Sequence, residues 1–135
     1  MVKILFAIFL IAHGLVHAGL AAAPNPADPN EKPGAFFTTV ERSWLLPRLG
    51  LSVTAVQWIG IILVVLTTFG FVLAGLGVLG VPGPNTIWRT VAVVSSYLSL
   101  LLLILFWHPW LVMGVLIDIG LLIALVLTKW QPDMY

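Results

Sequence analysis

Long apolar runs broken by short polar stretches dominate the chain. Four of the runs reach the roughly 20 residues that an α-helix needs to cross the hydrocarbon of a bilayer. The first covers about 2–23, with Lys3 at its head and no charge inside; the others cover about 51–79, 87–107 and 110–128. The second is long enough to tilt across the membrane. Gly80-Val81-Pro82-Gly83-Pro84-Asn85 supplies a stop and a start between the second and third, and only His108-Pro109 separates the last two. The pattern predicts an all-α, single-domain bundle of four transmembrane helices with antiparallel neighbours.

Residues 24–50 form the one sizeable loop. Its first half, Pro24 to Gly34, is punctuated by proline and predicts no helix. Residues 38–46 have a helix-compatible composition with an apolar Trp44-Leu45-Leu46 end before Pro47, which predicts a short helix lying in the membrane interface. The start, Met1-Val2-Lys3 ahead of an apolar run and Ala21-Ala22-Ala23, also resembles a cleavable secretory signal. Pro24 makes an awkward first mature residue, so the run is read as a retained span.

Composition agrees with the pattern and narrows the function. Of 135 residues, 61% are hydrophobic and 8% charged, against about a quarter charged in soluble domains. Six basic residues and a net charge of +1 are too few for a nucleic-acid footprint. Cysteine is absent, which removes thiol chemistry and thiolate metal sites. No phosphate-cradling loop, catalytic carboxylate pair or nucleophile elbow is present, so no catalytic residue is assigned and the reading leans away from an enzyme.

Orientation follows weakly from charge. Lys3, Arg89 and Lys129 fall on one side and Lys32, Arg42 and Arg48 on the other, a tie under the positive-inside rule. The Lys3-led start favours cytoplasmic termini, in the plasma membrane of a prokaryote. Trp88 and Trp130 mark one membrane boundary and Trp44, Trp107 and Trp110 the other, whereas Trp58 lies inside the second span.

Candidate chemistry sits in the few polar residues within the spans. Asp118 alone among the charged residues is mid-span, where an aspartate costs about 2.5–3.5 kcal/mol on insertion scales and therefore needs a partner. Counting about 1.5 Å of rise per residue from Lys3 and Lys129 puts His13 and Asp118 at one depth. Ser95, Ser96 and Tyr97 fall near the middle of the third span, while His17 and Gln57 share a shallower layer. The expected polar layer is His13, Asp118 and a Ser or Tyr of the third span. His13 and His17, spaced i, i+4, share one helix face, but no third metal ligand stands near them in sequence and no metal site is assigned. His108 is an alternative neighbour for His17. Gly14 beside His13 leaves room for a flat macrocycle, so haem, a chlorophyll-type pigment or a quinone are the candidate cofactors for His13, His17 and His108. Gly114, four residues before Asp118, predicts a close backbone approach next to the carboxyl. Gly70, Ala74, Gly75 and Gly77 form a small-residue face that suits helix packing within the chain or against another subunit.

Ala12-His13-Gly14-Leu15-Val16-His17, Ser43-Trp44-Leu45-Leu46 and Phe106-Trp107-His108-Pro109-Trp110 resemble strings in a family of small four-span bacterial membrane proteins. That family has a similar A-H-G-x-x-H first span and F-W-x-P-W corner. A more distant likeness is to DoxX-like four-helix membrane proteins. The resemblance implies a four-span bundle over nearly the whole chain and carries no established activity.

Three functions fit these readings. The leading expectation is a non-catalytic accessory or structural subunit of a larger membrane complex, respiratory or photosynthetic, with the lipid bilayer and other membrane subunits as partners. The second is a cofactor- or quinone-binding protein using His13 and His17. The third is a small carrier or channel using Asp118.

Overall fold

The computed structural model describes residues 1–22, 30, 37 and 42–132. All four apolar runs are helical: α1 (Val2–Ala22), α2 (Val53–Leu79), α3 (Pro84–Leu105) and α4 (Val112–Leu122). A 3-10 turn, Pro109–Leu111, leads into α4, and a π turn, Ile123–Leu127, prolongs it. Four helices are thus long and apolar enough to cross a membrane, the fourth counted over Pro109–Leu127. The described residues contain no strand.

The helix ends follow from local chemistry. Ser52 caps α2 by accepting a hydrogen bond from the Ala55 N–H at 3.2 Å. At the other end Gly80 takes a left-handed φ of 94°. Its N–H donates to the Gly77 carbonyl while the Val81 N–H reaches back to Leu76, a closure that only glycine makes without strain. Pro84 then opens α3 at a position where its missing N–H has no intrahelical partner to lose. At the α3–α4 corner His108 serves as cap, its Nδ1 accepting from the Trp110 N–H at 3.3 Å.

The loop entering α2 behaves differently from the expected interfacial helix. Residues 38–41 of that stretch lie outside the described residues. Ser43 to Leu46 is a bend and a turn, and the helical turn comes later, at Pro47–Leu49, which Pro47 begins instead of ends. The reason is that these side chains finish another helix. The Ser43 hydroxyl donates to the Leu105 carbonyl at 2.9 Å and the Trp44 indole N–H to the Ile104 carbonyl at 2.6 Å. Both carbonyls are among the last four of α3, which have no partner inside their own helix. The Ser43 oxygen also takes the Leu46 N–H, which bends the chain.

α1 lies along α2 and α2 along α3, with α4 against α3. Missing side chains permit the close approaches. A Cβ on Gly14 would stand 2.9 Å from the Thr68 carbonyl oxygen, one on Gly75 would stand 2.8 Å from that of Ala7, and one on Gly77 would be 2.6 Å from Trp88 Cβ. Gly70 accommodates the Ser95 hydroxyl. The small face of α2 is therefore used within the chain, against α1 and α3. Gly114 is not approached by backbone as expected: its neighbour is a methyl of Leu103.

Two apolar clusters fill the interior. One, near the loop, contains Phe37, Val56, Leu63, Leu102, Phe106 and Leu111. The other, towards the chain termini, contains Leu10, Phe71, Val78, Ala92, Leu121 and Leu125. Along each helix the buried polar residues fall between them: His13 and His17 on α1, Thr67 on α2, Ser95, Ser96 and Ser99 on α3, and Asp118 on α4.

We expect Gly75→Val to destabilise the bundle by about 1–3 kcal/mol through overpacking against α1. Gly19→Ala and Gly120→Ala, where nothing lies within 4 Å of the added carbon, should stay within about 0.5 kcal/mol of the parent. Reversible denaturation in detergent micelles measures all three.

Candidate functional site

Three helices contribute to one hydrogen-bonded cluster. His13 Nε2 lies 2.9 Å from Asp118 Oδ1, joining α1 to α4. His17 Nε2 lies 2.7 Å from the Ser99 hydroxyl, joining α1 to α3. Ser99 also bonds Asp118 Oδ2, joining α3 to α4. The i, i+4 spacing lets His17 Nδ1 reach the His13 carbonyl at 3.0 Å, so α1 orients its own second imidazole. Asp118 and Ser99 are fully enclosed, while His13 and His17 are 7% and 2% exposed. The enclosure includes Phe71, whose ring meets that of His13 edge-on at 4.7 Å between centroids. The Phe9 ring is nearly parallel to the same imidazole at 6.1 Å between centroids.

Counting hydrogens constrains the cluster. A carbonyl only accepts, so His17 Nδ1 carries a proton and donates it to His13. Ser99 has one proton and two neighbours, so it donates to one and accepts from the other. With His13 donating to Asp118 Oδ1, two arrangements satisfy every group. In one, Ser99 donates to an Asp118 carboxylate and a His17 imidazolium donates to Ser99. In the other, a protonated Asp118 donates to Ser99 and Ser99 donates to a neutral His17. They differ by concerted shifts along Asp118–Ser99–His17 and leave the cluster with the same total charge.

The expected layer of His13, Asp118 and a third-span hydroxyl is present, but the hydroxyl belongs to Ser99. Ser95 is buried against Gly70, and Ser96 turns its hydroxyl onto the Ala92 carbonyl of its own helix at 3.0 Å. Tyr97 faces outward, 58% exposed. Counting depth locates a level but not a face. The stripe Ala92, Ser95, Ser96, Ser99 follows i, i+3, i+4, i+7 and marks the inward side of α3, a signal that would have singled out Ser99 over Tyr97. Gln57 is likewise exposed on α2 and is not grouped with His17. His108 caps the α3–α4 corner instead of approaching His17. Nor is the space beside Gly14 open to a macrocycle, because Phe71 and the Thr68 carbonyl occupy it. The Thr67 and Thr68 hydroxyls are buried without a hydrogen-bond partner among the described residues.

A second polar contact anchors the far end of α4. The Arg89 guanidinium of α3 donates to the Leu125 carbonyl, through Nε at 3.0 Å and through Nη2. In a regular helix that carbonyl would accept from residue 129. Here Lys129 takes a left-handed φ of 51°, and the Trp130 N–H bonds Ala124 instead. A cation at a helix C-terminus is favoured by the helix dipole.

In comparison with known proteins, the chain matches no protein-family model, no curated protein and no solved structure.

Replacing Asp118 or His13 by Leu should each cost roughly 1–3 kcal/mol by stranding a buried partner. The double variant should cost less than the sum, with a coupling of about 0.5–2 kcal/mol. Ser99→Ala should destabilise and Tyr97→Phe should not. A double-mutant cycle read by denaturation in detergent tests the pairing, and strict additivity would contradict it.

Proposed function

We propose that the chain is a non-catalytic accessory or structural subunit of a larger membrane assembly. The observation that carries this reading is the closure of the polar centre. His13, His17, Ser99 and Asp118 are buried and bonded to one another, and none of them lines the grooves beside Gln57, Trp44, Phe6 or Arg89. A centre of this kind locks helices together; a substrate site has to open to its substrate.

The outer surface supports a partner helix. A groove of about 580 Å³ between α1 and α2 is lined by Ala18, Ala21, Ala22, Gln57, Ile61, Val64 and Val65. Small residues allow a foreign helix to approach closely, and a polar side chain facing lipid favours an interhelical hydrogen bond. Gln57 makes no hydrogen bond among the described residues, and Gly19 nearby has nothing within 4 Å of its Cβ position. Electron-transport complexes, rich in such small subunits, are the setting this reading favours.

In native membranes solubilised in mild detergent, the tagged chain should elute in a multi-subunit peak, and Gln57→Leu together with Ala18→Leu should release it as a small species. A chain that runs alone from native membranes contradicts the reading. Its topology is proposed with both termini in the cytoplasm of a prokaryotic cell. These 135 residues include no cysteine, so single-cysteine labelling with an impermeant maleimide reads it directly. Arg48→Cys should react from outside intact cells, and Asn85→Cys only after lysis.

A further inference from the structure

The polar layer has the composition and spacing of a transition-metal site, which goes beyond the subunit reading and does not depend on it. We infer that His13 Nε2, His17 Nε2 and the Asp118 carboxylate together bind one first-row divalent cation, with Zn²⁺ the best fit. One ligand atom from each of these residues lies within 4.8 Å of the other two. Some point therefore lies within about 2.8 Å of all three, and side-chain adjustments of under about 1 Å bring that to the roughly 2.0–2.2 Å of Zn–N and Zn–O bonds.

Orientation of the ligands favours the same conclusion. In metalloproteins the nitrogen opposite the metal usually donates to a carbonyl or carboxylate, which fixes the tautomer and aims the ring. His17 has that arrangement: Nδ1–H donates to the His13 carbonyl, so in the neutral ring the lone pair is on Nε2, the atom facing the cluster. Its carbonyl partner is in the backbone of α1, one turn earlier, so the aim is set by a helix and not by a loop. His13, on that same backbone, directs Nε2 at the Asp118 carboxylate. On binding, the cation takes the place of that hydrogen bond, the His13 ring proton moves to Nδ1, and the one proton shared along Asp118–Ser99–His17 is released to solvent. The Ser99 hydroxyl is bonded to both His17 and Asp118, so it holds two of the three ligands in place.

Ligand chemistry sets the class of ion. Two imidazoles with one carboxylate suit Zn²⁺ and neighbouring first-row dications, whereas Mg²⁺ and Ca²⁺ require mostly oxygen donors. Because the ligands come from α1 and α4, a bound ion ties these two helices together and stabilises the bundle by its binding free energy. The ligands are enclosed, so exchange depends on transient opening, and metal acquired during folding should be retained.

The test uses the full chain purified through a tag without histidines. Elemental analysis of protein from cells grown with supplementary Zn²⁺ should find about one ion per chain after a chelator wash. Growth with Co²⁺ should give visible d–d bands distinct from those of the hydrated ion. Asp118→Asn, which keeps the size and one acceptor oxygen, and His17→Gln should each lower the metal content at least about fivefold, while His108→Gln retains it. Size exclusion and circular dichroism confirm that the variants fold. Should the variants fail to fold, the wild-type metal content and Co²⁺ spectrum decide the matter. Wild-type protein with under about a tenth of an equivalent, or folded Asp118→Asn with undiminished metal, overturns the assignment. Neither result bears on whether the chain co-purifies with other subunits.

Discussion

A carboxyl group in the middle of a bilayer has to be satisfied by protein, and that constraint organises the bundle. Asp118 is fully enclosed, and its two oxygens are taken by His13 of α1 and Ser99 of α3. Those bonds, with the one from His17 to Ser99, form a triangle linking α1, α3 and α4. The closest backbone packing is elsewhere, between α1 and α2 and between α2 and α3. The polar triangle thus draws α4 and α1 to a common centre. In hydrocarbon, where lipid is as apolar as leucine, hydrogen bonds and close packing have to provide association that water would otherwise drive.

Close packing supplies the remainder. Gly14 and Gly75 set the separation of α1 and α2, and Gly70 and Gly77 that of α2 and α3. Gly14 adjoins His13, so the backbone approach next to the histidine and the position of its imidazole are parts of one contact. The two apolar clusters on either side of the polar layer keep the layer away from both membrane surfaces. This is also why a resident ion would be held firmly: its ligands sit on helices whose faces are already occupied by one another.

The ends of the bundle obey the same accounting of backbone groups. Carbonyls at the end of α3 are taken by Ser43 and Trp44, and the Leu125 carbonyl, left open where the chain turns away at Lys129, is taken by Arg89. In each case a side chain distant in sequence completes a helix that cannot complete itself. An isolated reading of residues 38–46 suggests a helix because local composition permits one, yet Ser43 and Trp44 are bound elsewhere and the described part of the segment bends.

Four apolar runs, their lengths and the glycine–proline breaks determine the four helices, because the hydrocarbon thickness fixes how many residues a span requires and the bilayer leaves the backbone no other way to satisfy its own polar groups. The pairing of His13 with Asp118 was also legible, since residue count converts directly into depth along a helix. Which residue of α3 joins them does not follow from depth, which leaves rotation about the helix axis open; the stripe Ala92, Ser95, Ser96, Ser99 marks the inward face, but which of its serines meets Asp118 is decided only once α3 is packed. That His17 as well as His13 comes close to the Asp118 carboxylate is likewise a product of packing, since Asp118 lies more than a hundred residues away on another helix. Hydrophobic length is a property of each segment alone, whereas the chemistry of this site belongs to contacts between segments, and only their packing creates it.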